Sequence, residues 1–169
     1  MKKSLVFVSL LSLSGLSLSG FSSQALATEL KLELNLPQQT GEYHNPYVAI
    51  WLEDSSGKSI RTLALWREGA KWLKDIRRWW RKVGRKDAEL VDAITSATHA
   101  AGRYQLSFDA VDDNQQPLAA GDYILRIEVV RENGGRSMVK QPFTLTGKSQ
   151  RFTLAATPET AQSTFIIKE

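Results

Sequence analysis

The sequence predicts a mainly β chain, an antiparallel sandwich carrying a helical insertion over about residues 71–98. Three observations carry that expectation. Apolar and polar residues alternate in several short segments, the period of half-buried strands. Turn residues such as Asp54-Ser55-Ser56-Gly57 and Asn133-Gly134-Gly135 divide those segments. Between them the apolar period lengthens to that of a helix.

Residues 1–27 stand apart from this pattern. Lys2 and Lys3 form a positive start, Leu5 to Gly20 is apolar and serine-rich, and Ala25-Leu26-Ala27 offers small residues for cleavage. This is the layout of a secretory signal peptide cleaved after Ala27, and the run is short and serine-rich for a membrane anchor. The expected organisation is a leader, 1–27, and one periplasmic domain, 28–169, without an integral membrane segment once the leader is gone. No Cys follows the apolar run, which excludes a lipid-anchored cysteine.

Each element follows from its residues. In Glu29 to Leu36, Leu30, Leu32, Leu34 and Leu36 share one face of a strand. Pro37 to Asn45 is polar and turn-like. Tyr47 to Glu53 is apolar enough for a second strand, and Ser59 to Trp66 completes a hairpin with it. From Lys71 to Val83 the spacing of Trp72, Leu73, Ile76, Trp79, Trp80 and Val83 fits one helix face, with Gly84 as a stop. Asp87 to Ile94 reads as a second short helix, so the insertion sits between two strands and leaves one edge of the sandwich. Strands resume at Tyr104-Leu106-Phe108 and at Tyr123-Leu125-Ile127-Val129. Ser137 to Leu145, Arg151 to Leu154 and Thr164 to Lys168 complete a set of roughly seven short strands, as a sandwich requires.

Composition excludes much chemistry. With no Cys among 169 residues there is no thiol nucleophile, disulfide, Cys-ligated zinc or iron–sulfur site. Two His leave little for a multi-histidine metal site or a hydrolase triad, and no metal site is expected. No Gly-x-Ser-x-Gly elbow, phosphate-binding glycine loop or dinucleotide fingerprint occurs. Within residues 71–86 lie eight basic residues against Asp75 alone, a local charge of +7. Residues 28–169 carry 20 basic and 18 acidic side chains, so the rest of that stretch is −5. On this run Lys74, Arg77, Arg78, Arg81 and Lys82 form a candidate electrostatic or partner face. It would suit an anionic flavin, an anionic membrane surface or an acidic partner, against the plainer reading of a solvated helix face with Trp72, Trp79 and Trp80 packed on the sandwich. Nucleic acid is a poor fit to an exported protein. Asp109, Asp112, Asp113 and Asn114 have the oxygen atoms for Ca²⁺ but lack the glycine and terminal glutamate of an EF-hand loop.

Three resemblances refine this. Gly102 to Val130, with Phe108-Asp109 and Gly121-Asp122-Tyr123, resembles the immunoglobulin-like module of the flagellar hook-capping protein and implies an immunoglobulin-like sandwich. Asp92-Ala93-Ile94-Thr95-Ser96-Ala97-Thr98 resembles the motif that ApbE-type flavin transferases modify. That resemblance implies FMN joined through a phosphoester to Thr98, with Asp92 as leading acid, Thr95 as the first hydroxyl, Ser96 where glycine is usual, and Ala97 before the acceptor. Small residues around Thr98 leave room for a flavin ring and for the modifying enzyme, and a covalent link retains a cofactor outside the cytoplasm. His99 stands beside the acceptor and is a candidate hydrogen-bond donor.

Finally, Tyr47-Val48-Ala49-Ile50-Trp51, Thr62-Leu63-Ala64-Leu65-Trp66, the run from Lys71 to Trp80, Asp92 to Thr98 and the Gly121-Asp122-Tyr123 strand are similar to domain of unknown function 2271 (DUF2271), a group of predicted periplasmic proteins. That resemblance implies work beside PepSY-type membrane reductases and flavin transferases. The expected protein is therefore a periplasmic electron carrier with FMN on Thr98, a redox carrier with no catalytic residues of its own. The rival is a non-catalytic immunoglobulin-like binding or assembly module without cofactor.

Overall fold

A computed structural model describes residues 28–169. The expected leader and its cleavage after Ala27 lie outside the described residues. In chain order the elements are β1 Glu29–Leu36, β2 Tyr47–Asp54, β3 Ser59–Trp66, a 3₁₀ turn Leu73–Asp75, and α1 Arg77–Trp79 running into a π turn Trp80–Gly84. There follow α2 Ala88–Ile94, β4 Thr95–Ser96, β5 Gly102–Asp109, β6 Gly121–Val130, β7 Arg136–Leu145, β8 Gln150–Leu154 and β9 Ser163–Lys168. The strands make two sheets, in the orders β5-β1-β9-β8 and β4-β3-β2-β6-β7. Every pairing is antiparallel except the short parallel one of β3 with β4. The chain is thus the mainly β sandwich with a helical insertion that its periodicity predicts.

The inward faces of the two sheets form one core. Leu30, Leu32, Leu34 and Leu36 of β1 meet Val48, Ile50 and Leu52 of β2 and Leu125, Ile127 and Val129 of β6, closed by Phe143, Leu154, Phe165 and Ile167. Each such side chain contributes roughly 1.5–3 kcal/mol through removal from water. The turns are built as expected: Asp54 Oδ1 accepts from the Ser56 and Lys58 amides at 2.9 Å each, and Gly57 takes φ +78° beside them. At the β6–β7 turn Asn133 adopts φ +53°, a left-handed conformation that Asn tolerates.

A second core lies outside the sandwich. Tyr47, Ala49, Trp51 and Leu65 point away from the first core and pack on Leu73, Ile76, Trp79, Val83 and Val91 of the insert. This corrects the expected position of the helical segment. It folds back over the outer face of the five-stranded sheet and reaches the edge only where β4 pairs with β3. The expected continuous helix from Lys71 to Val83 is also broken. In a regular helix the amides of Arg78 and Trp79 would donate to the carbonyls of Lys74 and Asp75. Here both donate to the Glu128 carboxylate on β6, at 3.0 and 3.1 Å. Farther on, Gly84 lies against the rings of Trp79 and Trp80, and the Arg85 amide donates to the Trp80 carbonyl, a π turn. The end of the expected insertion, residues 95–98, is not helical: it is β4 and the loop after it.

The strand directions sort the connections onto two ends. Segments 37–46, 67–72, 97–101, 131–135 and 155–162 gather at one end, and 55–58, 110–120 and 146–149 at the other. The segment from β5 to β6 crosses from one sheet to the other at the second end. Tyrosine hydroxyls pin the start of both strands: Tyr104 donates to Ala100 O at 2.7 Å and Tyr123 to Ala119 O at 2.9 Å. A tyrosine that bonds back to backbone a few residues upstream is the corner device of sandwich folds.

Candidate functional site

The site is built by the way α2 ends. Asp87 caps its start, its Oδ1 accepting from the Leu90 amide at 2.8 Å. At the other end the Thr95 hydroxyl donates back to the Val91 carbonyl at 2.5 Å. The chain then extends, with Leu65 facing Thr95 and Trp66 facing Ser96, and the Arg67 amide donates to the Ser96 carbonyl at 2.9 Å. After Ser96 it leaves the ladder, and Ala97 to Ala101 cross without strand pairing to β5 on the other sheet.

Thr98 stands in that crossover. Its side chain is half-buried, Ala97 and Ala100 beside it are exposed, and its hydroxyl makes no hydrogen bond among the described residues. Ser96 occupies extended backbone. Positive φ among the described non-glycine residues falls only at Gln115 and Asn133, so the backbone at Ser96 requires no glycine. Asp92 is exposed on the last turn of α2 and pairs with Arg67 at 3.3 Å. Asp92, Thr95, Ser96, Ala97 and Thr98 therefore pass in order from helix end to strand to open loop.

An aromatic cluster borders this loop. The ring of His99 stands 4.4 Å from Trp66 and 5.0 Å from Tyr104, and Trp66 lies 5.3 Å from Tyr104. Tyr43 comes in from segment 37–46. Burial, and then the neighbouring Tyr104, push its phenol above the ordinary range, against the pull of Arg131 and the Ala101 amide. Sequence reasoning placed Trp66 and Tyr104 only as strand residues. Their role at the loop depends on the β3–β4 pairing, which two residues of strand do not signal in advance. At the same end a cavity of about 320 Å³ opens between the insert and the β6–β7 turn, with Trp72, Arg77, Arg131 and Arg136 in its wall.

The basic run divides in two. Lys74, Arg77, Arg81 and Lys82 are exposed. Arg78 departs from the expected face: it turns inward and binds Glu53 through Nε at 3.0 Å and Nη2 at 2.9 Å. Glu53 is fully buried and also accepts from Trp51 Nε1 at 3.1 Å and Arg126 Nε at 3.0 Å. Burial acts to raise its pKa, but the hydrogen bonds from Arg78, Trp51 and Arg126 together outweigh it and hold the carboxyl below its ordinary value. Glu128 is fully buried as well and binds Arg136 at 2.6 Å. The two glutamates thus bolt the insert to the sheet. Trp79 is fully buried with Nε1 donating to the Thr62 hydroxyl at 3.0 Å, while Trp72 and Trp80 are partly exposed. Lys82 donates to the Gly57 carbonyl at 2.9 Å, so this part of the run lies at the end opposite Thr98.

The acidic loop is at that opposite end too. Asp112 Oδ1 accepts from the amides of Asn114 and Gln116, at 2.8 and 2.9 Å, and Asp113 Oδ1 accepts from the Thr62 amide at 3.2 Å. These carboxylates close turns and tie the loop to β3. His44 lies in segment 37–46, 3.3 Å from Glu42.

No helix among the described residues is long and apolar enough to cross a membrane. No curated protein and no solved structure matches the chain. A family model matches residues 29–162, from the first strand of the sandwich to the edge of the last. The chain belongs to the family described as predicted periplasmic protein (DUF2271).

Proposed function

We propose that this protein is a periplasmic electron carrier whose FMN is joined covalently to Thr98 by an ApbE-type flavin transferase. The observation that carries the reading is the state of Thr98: a half-buried side chain whose hydroxyl is unbonded among the described residues, on a ladder-free crossover with small exposed neighbours. The residues present fit the group. Ala97, Ala100 and Ala101 are small residues beside the hydroxyl, and the partly exposed rings of His99 and Tyr104 are of the kind on which a planar heterocycle stacks, with the buried ring of Trp66 backing them.

The attachment balances as a phosphoryl transfer. Thr98 Oγ1 bonds to the FMN phosphorus of FAD, the pyrophosphate bond breaks, AMP leaves with the electron pair, and the hydroxyl proton passes to a base of the transferase. Once attached, the flavin supplies one- or two-electron chemistry. This chain would hold the phosphoester through Thr98, on a loop that Tyr104 pins two residues farther on by its hydrogen bond to the Ala100 carbonyl. Asp92, held by Arg67, presents a carboxylate on the approach to the loop, where the transferase would read the motif. A PepSY-type membrane reductase is the proposed electron donor.

Intact mass after export with a coexpressed flavin transferase tests the reading. An FMN-sized increment is expected in the native sequence and absent in Thr98→Ala. An unmodified mass under those conditions sinks the carrier reading and leaves the rival, an immunoglobulin-like binding module without cofactor.

A further inference from the structure

The geometry points to a second working surface: we propose that the outward side of the insert docks on anionic phospholipid headgroups. The inference is independent of Thr98. It rests on how the cations of residues 71–86 are used. Of the eight, only Arg78 joins an ion pair among the described residues. The others are exposed, and because Leu73, Ile76, Trp79 and Val83 point into the second core, Lys74, Arg77, Arg81, Arg85 and Lys86 are left on the solvent side.

The opposite face of the sandwich behaves differently. There Lys31 pairs with Glu29 at 3.1 Å and Arg103 with Glu33 at 3.4 Å, so two of its four cations are neutralised where they stand, and Arg151 and Lys168 are too few to match the run on the insert. The charge of the chain is therefore polarised, +7 over residues 71–86 against −5 for the rest of 28–169. The run also extends away from Thr98, as the Lys82 bond to Gly57 fixes, so most of it is misplaced for service to a group on that threonine.

The chemistry favours a lipid surface over an acidic protein. Over residues 71–86 the apolar side chains are turned inward, and what remains outside is a set of long cationic side chains with the partly exposed rings of Trp72 and Trp80 among them; the exposed acids of the insert, Asp87, Glu89 and Asp92, follow on α2. A protein partner of defined shape is held by a desolvated apolar centre. Long cationic side chains with interfacial tryptophans suit a fluid, anionic, non-specific surface. Docked this way, the protein would lie with the insert against the headgroups and the Thr98 loop at the rim, within reach of a membrane enzyme.

Vesicle cosedimentation of residues 28–169, free of flavin, tests this. The protein is expected to bind phosphatidylglycerol-containing vesicles at low salt, to leave them in high salt, and to ignore pure phosphatidylcholine. The triple variant Lys74→Glu, Arg81→Glu, Arg85→Glu should bind on the order of a hundredfold more weakly. A second triple, Arg103→Glu, Arg151→Glu, Lys168→Glu, makes the same change of net charge on the other sheet and should bind within a few-fold of the unaltered protein. Matching melting curves establish that both variants fold; if the first does not, the corresponding glutamine triple replaces it. Equal loss from both triples, binding to neutral vesicles, or no binding to anionic vesicles overturns the proposal. Retention on immobilised polyglutamate without vesicle binding does so as well, and assigns the face to an acidic protein. None of these outcomes changes the mass test of Thr98.

Discussion

β1 and β2 are both eight-residue strands in the middle of a sheet, yet they are buried in different ways. β1 alternates strictly, with its leucines in the core and Glu29, Lys31, Glu33 and Asn35 toward water. β2 is buried at every position from Tyr47 to Glu53 because the insert covers its second face. The difference teaches what a covered sheet costs and permits. On β1 a glutamate is a solvated side chain. On β2 the glutamate at the equivalent kind of position must be held by two arginines and an indole, and in return it fastens the element that buries it.

The largest way to break the comparison is Glu53→Ala. It leaves Arg78 and Arg126 without their shared partner inside the second core and should cost about 3–5 kcal/mol by urea denaturation. Glu33→Ala on β1 removes only an exposed pair with Arg103 and should cost less than about 0.5 kcal/mol. Equal losses would mean that the insert is not bolted on as described. Acid should reproduce part of the first effect. Because the folded carboxyl of Glu53 lies below its ordinary 4.5, its contribution is complete above that value and is lost as pH falls through the folded one. The native protein should therefore lose stability from about pH 5 downward more steeply than Glu53→Gln.

Smaller changes sharpen the same contrast. A Cβ on Gly84 would stand 2.6 Å from Trp79 Cζ3 and 2.7 Å from Trp80 Cε3. Gly84→Ala should thus force the tryptophans apart at roughly 1–3 kcal/mol, with tryptophan emission changing and the sandwich core intact. Asp87→Ala removes the cap of α2 and should cost about 1 kcal/mol. Thr98→Ala deletes a hydroxyl that bonds to nothing described and should stay within about 0.5 kcal/mol of the unaltered protein in a thermal melt.

β1, the two hairpin turns and the sandwich itself were legible because alternation and turn chemistry are local. The path of the insert was not. The spacing of Trp72 to Val83 is met equally by a 3₁₀ turn, a short α-helix and a π turn, and the group that breaks the helix, Glu128, lies about fifty residues away. For the same reason nothing local separates Arg78 from Arg77 or Arg81, although one is drawn inward and the others are not. At the candidate site the motif residues could be named from their order alone. Trp66 and Tyr104 could not, since only the pairing of β4 with β3 and the return to β5 bring them to the loop.

The central claim is chemical and local, and peptide mapping tests it most directly. Trypsin releases residues 87–103 as one piece carrying Thr95, Ser96 and Thr98 together. After export beside a flavin transferase, fragmentation of that peptide should place an FMN-sized increment on Thr98 alone. An unmodified peptide, or an increment on Thr95 or Ser96, would contradict the account.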